Sequence, residues 1–244
     1  NQTMHGKVFC GYQGWFSGKD DGTGIDFDNY RFDGVFKPGC CVIDLWPDMS
    51  EMDPDEHYPT PFRHADGTVA TVFSSANAKT VDRHFSWMKS YGIDGVFLQR
   101  FGWALTDPPT LRHRNVVMAR VRQSAGKHDR QWSVMYDLTS LSLGQIREYV
   151  MADWKKIVQS DDPRAESSYT RHDGKPVVAI WGVGFRDGRA YGLDECLELI
   201  RFLQHDPVCG GNAVMLGVPY GWRLKERDAS QHETVHTVLL TDDI

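Results

Sequence analysis

The chain has 244 residues, of which 41% are hydrophobic and 25% are charged, and its formal net charge at pH 7 is −6. This composition is ordinary for a globular protein with a sizeable core, and no apolar run approaches the roughly 20 residues that a membrane-spanning helix needs. Because the net charge is negative and the Lys and Arg residues are scattered, we expect no nucleic-acid partner. Because no apolar run is long enough, we expect no membrane span.

Six apolar runs are predicted to be strands, in chain order at 7–12, 41–46, 95–101, 132–137, 177–181 and 214–222. Four helices are predicted from caps and apolar stripes, at 77–92, 110–126, 142–157 and 196–203. A fifth helix at 228–240 leads into Thr241–Ile244, which is predicted to begin a seventh strand. The stretch between the second strand and the first helix is predicted to be irregular, because its prolines forbid a continuous helix.

The spacing of the strands predicts the fold class. Four of them are marked by Val96, Val134, Val178 and Val214, at separations of 38, 44 and 36 residues, with helix-like sequence between. Continuous apolar strands are buried on both faces, and intervening helices imply parallel pairing through right-handed crossovers. We therefore predict an α/β protein whose single domain, 1–244, is a (β/α)8 TIM-type barrel, of which this chain supplies about six strands.

The strand count raises the question of how such a barrel would be closed. Six strands and the start of a seventh leave an exposed sheet edge, and exposed edges invite unwanted pairing. We expect the chain to be truncated before the last strands of the barrel. Either a missing C-terminal segment or a partner chain is then expected to close it.

In a barrel of parallel strands, the chemistry collects at the C-terminal ends of the strands. The six predicted strand ends are rich in aromatic rings, amides and acids, which suit the C–H faces and hydroxyl rim of a sugar. The same rings could instead pack beneath loops, since Trp is mostly buried in proteins. The predicted substrate-binding residues are Tyr12, Trp15, Trp46, Asp48, Gln99, Arg100, Tyr136, Asp137, Trp181, Tyr220 and Trp222.

Asp137 is the strongest single candidate for chemistry, because a carboxylate at the end of a buried strand is costly unless it is paired. The alternative is a capping or ion-pairing role in the loop that leads to Ser142. Glycosidases generally need two carboxyl groups, and no glutamate falls at the C-terminal end of a predicted strand. The catalytic residues are therefore not identified by this pattern, and Asp137 is the fallback.

The cysteines point to structure rather than to a bound ion. There are five, an odd number without regular spacing, and structural zinc sites have specific spacings. We predict free structural thiols, no metal and no cofactor.

Several segments, taken together, resemble blocks of the glycoside hydrolase family 71/99-like proteins. These proteins are often labelled xylosidase/arabinosidase and are related to family 99 endo-α-mannosidases. The segments span nearly the whole chain and are Val8–Phe16, Trp46–Glu51, His84–Met88, Tyr91–Phe101, Met135–Asp137 and His172–Gly182.

The resemblance implies a (β/α)8 barrel, a carbohydrate substrate and a glycosidase acting on α-linked glycans. It further implies retaining cleavage assisted by the substrate's own 2-hydroxyl, and it favours a secreted or periplasmic protein. The acidic pair of the family lies in a block near the last strand that this sequence does not contain, so no catalytic carboxylate can be carried across. The alternative is a non-catalytic carbohydrate-binding module or pseudoenzyme that keeps the pocket without the acids.

Overall fold

The computed structural model of the protein describes residues 3–142 and 144–224. Within these residues the strands are β1 (Phe9–Tyr12), β2 (Tyr58–Arg63), β3 (Val69–Val72), β4 (Gly95–Phe101), β5 (Gln131–Asp137), β6 (Arg171–His172), β7 (Lys175–Trp181) and β8 (Ala213–Gly217). The α-helices are α1 (Ala78–Ser90), α2 (Gly102–Thr106), α3 (Pro108–His128), α4 (Ala152–Asp161) and α5 (Leu193–His205). A π-helical segment, Ile146–Met151, precedes α4, and short 3-10 turns lie at Pro54–Glu56 and Pro163–Ala165.

The chain divides into two compact units, which are described separately. The sheet unit contains the residues up to Gly11, Gly95–Asp107, and those from Gln131 onward. The hairpin unit contains Tyr12–Asp94 and Pro108–Arg130. Across the described ranges of both units, no helix combines the length and apolar character that crossing a membrane requires.

The sheet unit is built on one sheet in the order β1-β4-β5-β7-β8. The pairs β4–β5, β5–β7 and β7–β8 are all parallel, with Gly95 opposite Gln131 at one end of β4 and Phe101 opposite Asp137 at the other. The short strand β6 returns antiparallel onto the start of β7. Continuous apolar runs therefore form neighbouring parallel strands, as the valine spacing predicts.

The strands bury their two faces against different partners. On one face, Phe97, Val177 and Ala179 form a core cluster, against which Phe9 and Met135 pack. Residues one position away along each strand, such as Val96, Val134 and Val178, are fully buried on the other face. Because successive side chains in a strand point to opposite faces, each strand contributes to both layers.

The predicted barrel is not closed within residues 3–142 and 144–224. Strands β1 and β8 are the two ends of the sheet, and no pairing joins them there. The predicted strand 214–222 is shorter than expected, since β8 ends at Gly217 and a turn follows from Tyr220. The predicted last helix and the start of a seventh strand lie outside the described residues.

The hairpin unit combines a small antiparallel sheet with two packed helices. Strands β2 and β3 pair antiparallel, and α1 packs against α3. One core cluster of this unit consists of the buried residues Phe27, Tyr30, Phe36 and Val72. Helix α1 starts as predicted, because the Asn77 side chain accepts a hydrogen bond from Lys79 N.

The predicted second strand, 41–46, is wrong. This segment contains no strand, and β1 pairs directly with β4. Its apolar residues Cys41, Ile43 and Trp46 are instead half-buried against the aromatic cluster of the hairpin unit, whereas Leu45 is exposed. A short apolar run is consistent with a buried strand, but here the run belongs to a loop that packs on a core.

Candidate functional site

A cleft of about 500 Å³ opens on the sheet unit, on the face that carries Phe97 and Ala179. Its walls come from β4, β5, β7 and β8, and reach the carboxyl ends of these strands. The lining is mainly apolar, with an amide, a carboxylate and an indole among the twelve residues Gly11, Phe97, Gln99, Met135, Asp137, Ala179, Ile180, Trp181, Met215, Leu216, Gly217 and Val218. This mixture of apolar walls with few polar groups is typical of small-ligand sites.

Trp181 is the aromatic wall of the cleft. It ends β7 and is 41% exposed, a large fraction for an indole. It pairs with Gly217 of β8, and any side chain at Gly217 would overlap the indole at Cε3. The glycine therefore lets the ring lie across the neighbouring strand.

Residues of the loop after β7 pack against the Trp181 indole. The Phe185 ring lies 5.6 Å from the indole, and the Arg189 guanidinium lies 4.4 Å above the Phe185 ring. The Tyr191 hydroxyl donates a 2.8 Å hydrogen bond to the Gly182 carbonyl, which closes this loop on itself. Burial raises the pKa of Tyr191 to about 12, so the hydroxyl keeps its proton for this bond at neutral pH.

Gln99 supplies the amide. It lies near the end of β4, and its side chain rests close to Gly11, where a Cβ would lie 3.2 Å from the amide nitrogen. Its Oε1 atom is buried and has no hydrogen-bond partner among the residues that the structure describes. An unsatisfied buried carbonyl oxygen costs about 1–3 kcal/mol, and a rotation of the Gln99 amide that brings Oε1 to a ligand hydroxyl would recover this cost.

Asp137 supplies the carboxylate. It ends β5, is mostly buried, and its Oδ1 accepts a 2.8 Å hydrogen bond from Thr139 N. That bond matches the turn role left open by the sequence. Its second oxygen has no hydrogen bond to any described residue, so both a turn role and a ligand contact are compatible with this geometry.

Arg100 follows Gln99 in β4, and Tyr136 precedes Asp137 in β5. Both side chains lie on the opposite face of the sheet from the cleft. Arg100 donates to Asp153 of α4 from Nε at 2.9 Å and from Nη2 at 2.6 Å. The Tyr136 hydroxyl donates to the same carboxylate at 2.7 Å. Burial alone would lower the pKa of Arg100, but attraction to Asp153 raises it. Both side chains are buried behind the sheet, so the cleft is built without them.

Tyr12 and Trp15 belong to the hairpin unit. The Tyr12 hydroxyl lies 2.8 Å from His84 Nδ1, and burial raises the pKa of this phenol. The Trp15 ring packs against Phe16 at 6.4 Å, and its carbonyl accepts a hydrogen bond from Arg114 Nη1. Within this unit, both residues have structural contacts.

Trp46 and Asp48 also lie in the hairpin unit. The Trp46 indole N–H donates to the Thr71 carbonyl at 2.8 Å, and its ring is stacked on Phe36. Asp48 is exposed, and its Oδ1 accepts from Ser50 N at 2.9 Å, which lowers the pKa of the carboxyl. This pattern matches the solvated turn that the sequence permits after Pro47.

Tyr220 and Trp222 follow β8 in a turn. The Tyr220 side chain is almost fully exposed, and the Trp222 ring lies 5.2 Å beneath the Arg223 guanidinium. Of the eleven predicted binding residues, the structure thus brings three together around the cleft, namely Gln99, Asp137 and Trp181.

The sequence also carries a motif that the prediction of no metal overlooks. His232 and His236 flank Glu233 in the order His-Glu-Thr-Val-His, and an H-E-x-x-H pair on a helix can bind zinc. The motif lies outside the described residues. A second histidine group, remote in sequence, is formed by residues of the sheet unit.

The described residues form an α/β protein with a parallel sheet and a cleft at the carboxyl ends of its strands. No protein-family model matches the chain, and no curated protein matches it significantly. Among solved structures, the chain is similar to the GH99 endo-α-mannosidase of Bacteroides thetaiotaomicron in complex with BIS-TRIS-propane, with a TM-score of 0.39 and 15% identity over 71% of this chain and 41% of that one. Another structure of this mannosidase has a TM-score of 0.38 and 13% identity over 71% and 44%. The chain thus spans less than half the length of these structures.

Proposed function

We propose that the chain is part of a glycoside hydrolase-like protein that acts on α-linked glycans and holds the sugar in the cleft. The observation that carries the proposal is the exposed indole of Trp181 beside the unsatisfied Gln99 Oε1 and the Asp137 carboxylate. The α-linkage follows from the sequence resemblance alone.

The three side chains match the chemistry of a pyranose. An indole face offers a flat apolar surface for the C–H side of the ring. Gln99 Oε1 and the Asp137 carboxylate accept hydrogen bonds, and hydroxyls on the sugar rim can donate them. A ligand that makes these contacts would satisfy the polar groups that the cleft leaves open.

The charge of the cleft favours a neutral ligand. Its described lining residues include one carboxylate and no Lys or Arg. A phosphate or carboxylate ligand would meet a like charge without a balancing cation, and such burial is costly. A neutral sugar avoids this cost.

Hydrolysis of a glycosidic bond requires a second carboxyl group in addition to these residues. Glycosidases use two carboxyl groups, and Asp137 is the single carboxylate among the described lining residues. In the proposed enzyme the second acid comes from outside the described residues, and Asp137 is the candidate for the first. The same observation favours the second candidate function, a non-catalytic carbohydrate-binding protein.

The test is binding of α-linked oligosaccharides, such as α-mannobiose, to the chain by isothermal titration calorimetry. Trp181→Ala is expected to weaken the affinity at least about tenfold, equivalent to ~1.4 kcal/mol. Trp103→Ala is the matched control, since Trp103 is similarly exposed, at 39%, but does not line the cleft. Equal affinities for the two variants and the unchanged protein would contradict the proposed site.

Release of reducing sugar from α-linked glycans then separates the two functions. Turnover that Asp137→Asn reduces supports the hydrolase. Saturable binding without turnover supports the binding protein. Neither binding nor turnover with any glycan would overturn both.

A further inference from the structure

We propose that His5, His172 and Asp173 bind a late first-row divalent metal ion, of the class of Zn²⁺ and Ni²⁺, at the amino-terminal end of the sheet. One donor atom from each residue lies within 4.8 Å of the other two. All three residues belong to the sheet unit. His5 precedes β1, His172 ends β6 and Asp173 begins the turn to β7, so the fold joins positions that are remote in sequence.

The distance between two of the donors fits a shared ion better than a direct contact. His172 Nε2 and Asp173 Oδ2 are 3.7 Å apart, which is longer than a hydrogen bond. Two ligands that each lie about 2.1 Å from a tetrahedral zinc ion are roughly 3.4 Å apart. The pair therefore needs only a small adjustment to hold an ion.

The other nitrogen of His172 has the support that metal-binding imidazoles usually have. Thr3 Oγ1 lies 3.1 Å from His172 Nδ1 and can accept a hydrogen bond from the Nδ1–H. In this tautomer, with the proton on Nδ1, the Nε2 lone pair is free to bind a metal ion on the side where Asp173 lies. The Met4 N–H lies 3.5 Å from the same Nδ1 and is its donor in the other tautomer, so binding of an ion would select the Thr3 bond.

The third ligand is free to adjust. The His5 side chain is exposed, and its ring centroid lies 5.1 Å from that of His172. Asp173 is held in place by a two-residue turn in which Asp173 and Gly174 both have positive φ. Rotation of the His5 side chain would complete a set of three ligands.

The donor set defines the metal. Two imidazoles and one carboxylate suit zinc, nickel or copper, whereas magnesium and calcium prefer all-oxygen ligands. Three protein ligands leave further positions for water. Since Met4 packs on the Phe97, Val177 and Ala179 cluster, an ion here would fasten residues 3–6 to the β6–β7 turn and stabilise the sheet unit.

The experiment is calorimetric titration of the 244-residue protein, stripped with EDTA, with ZnCl₂, NiCl₂ and MgCl₂. We expect saturable binding of Zn²⁺ and Ni²⁺ at one site that Mg²⁺ does not fill. His5→Gln and His172→Gln are expected to weaken it at least tenfold. His64→Gln is the matched control, because His64 is an exposed histidine in the turn between β2 and β3.

Metal binding by the His232/His236 pair must be distinguished from metal binding at this site. The double variant His232→Gln, His236→Gln is expected to leave the His5 and His172 site intact. Zn²⁺ should also raise the thermal midpoint of the unchanged protein and fail to raise that of His5→Gln, whose exposed side chain is not needed for folding. Zn²⁺ affinity that is unchanged in His5→Gln and His172→Gln, or lost in the double variant, would overturn the proposal.

Discussion

Trp181 and Gly217 face each other on paired strands, and the indole occupies the space that a side chain at Gly217 would fill. The exposure of the indole depends on this contact, because the ring lies across β8 instead of extending away from it. A residue without a side chain thus determines the shape of the aromatic wall. The relationship leads directly to a test.

Gly217→Ala should displace the Trp181 ring. We expect a loss of about 1–3 kcal/mol in the free energy of unfolding, the usual cost of overpacking. Glycan affinity should fall at least tenfold, measured by calorimetry. Gly126→Ala is the control: a side chain there meets open space, and alanine in the last turn of α3 should stabilise the protein by at most about 0.5–1 kcal/mol. Unchanged glycan affinity in Gly217→Ala would contradict the role of this contact.

Asp153→Asn should destabilise the protein strongly. Arg100 and Asp153 are buried, with 1% and 8% of their side chains exposed, and Asp153 also accepts the Tyr136 hydroxyl. Removing the carboxylate charge leaves a buried guanidinium without its counterion, a change that typically costs about 3–5 kcal/mol. Urea unfolding of the variant and the unchanged protein measures this difference.

An exposed ion pair provides the comparison. Arg147 and Glu198 have 72% and 46% of their side chains exposed, and pairs of this kind contribute roughly 0–1 kcal/mol. Glu198→Gln should therefore change the free energy of unfolding by less than about 1 kcal/mol. Similar losses in the two variants would show that burial does not distinguish the pairs.

The stability of the protein should fall in mild acid. Burial lowers the pKa of His84 and of His113 to about 4, below the ~6.5 of an unfolded imidazole. For His84, nearby Glu56 opposes this shift and Arg83 adds to it. Below pH ~6.5 the unfolded chain binds more protons than the folded one, so stability is full above this pH. It is lost as the pH falls towards 4, by up to about 1.4 kcal/mol per pH unit for each imidazole.

A histidine variant isolates one of these protons. His84→Gln should reduce the slope of the unfolding free energy against pH between pH 6.5 and 4. The reduction should correspond to the uptake of about one proton fewer on unfolding. Ser90→Ala, an uncharged change at the end of the same helix, should keep the full slope. Denaturant unfolding at a series of pH values gives both slopes, and an unaltered slope in His84→Gln would contradict burial of a neutral imidazole.

The parallel strands β4, β5, β7 and β8 could be predicted because each is a continuous apolar run followed by a loop. The site is predicted less well, because the alternation of side chains along a strand is not taken into account. Gln99 and Arg100 are adjacent, as are Tyr136 and Asp137, and adjacent side chains in a strand point to opposite faces. Only one member of each pair could line a cleft on one face.

Other errors came from contacts that local sequence does not contain. The segment 41–46 reads as a strand because it is a short run of apolar residues, yet these residues belong to a loop packed on the aromatic cluster. The β2–β3 hairpin is not predicted, because prolines such as Pro59 favour an irregular segment. Asp66-Gly67 between two alternating segments is nevertheless a turn signal. The group of His5 and His172 depends on tertiary structure, and no spacing in the sequence reveals it.

The most direct test of the proposed sugar site is a crystal structure of the protein with an α-linked disaccharide bound. We expect one sugar ring stacked on the Trp181 indole, with hydroxyls within hydrogen-bonding distance of Gln99 Oε1 and the Asp137 carboxylate. A disaccharide bound at another surface, with no sugar contacting Trp181 at saturating concentration, would contradict the proposed site.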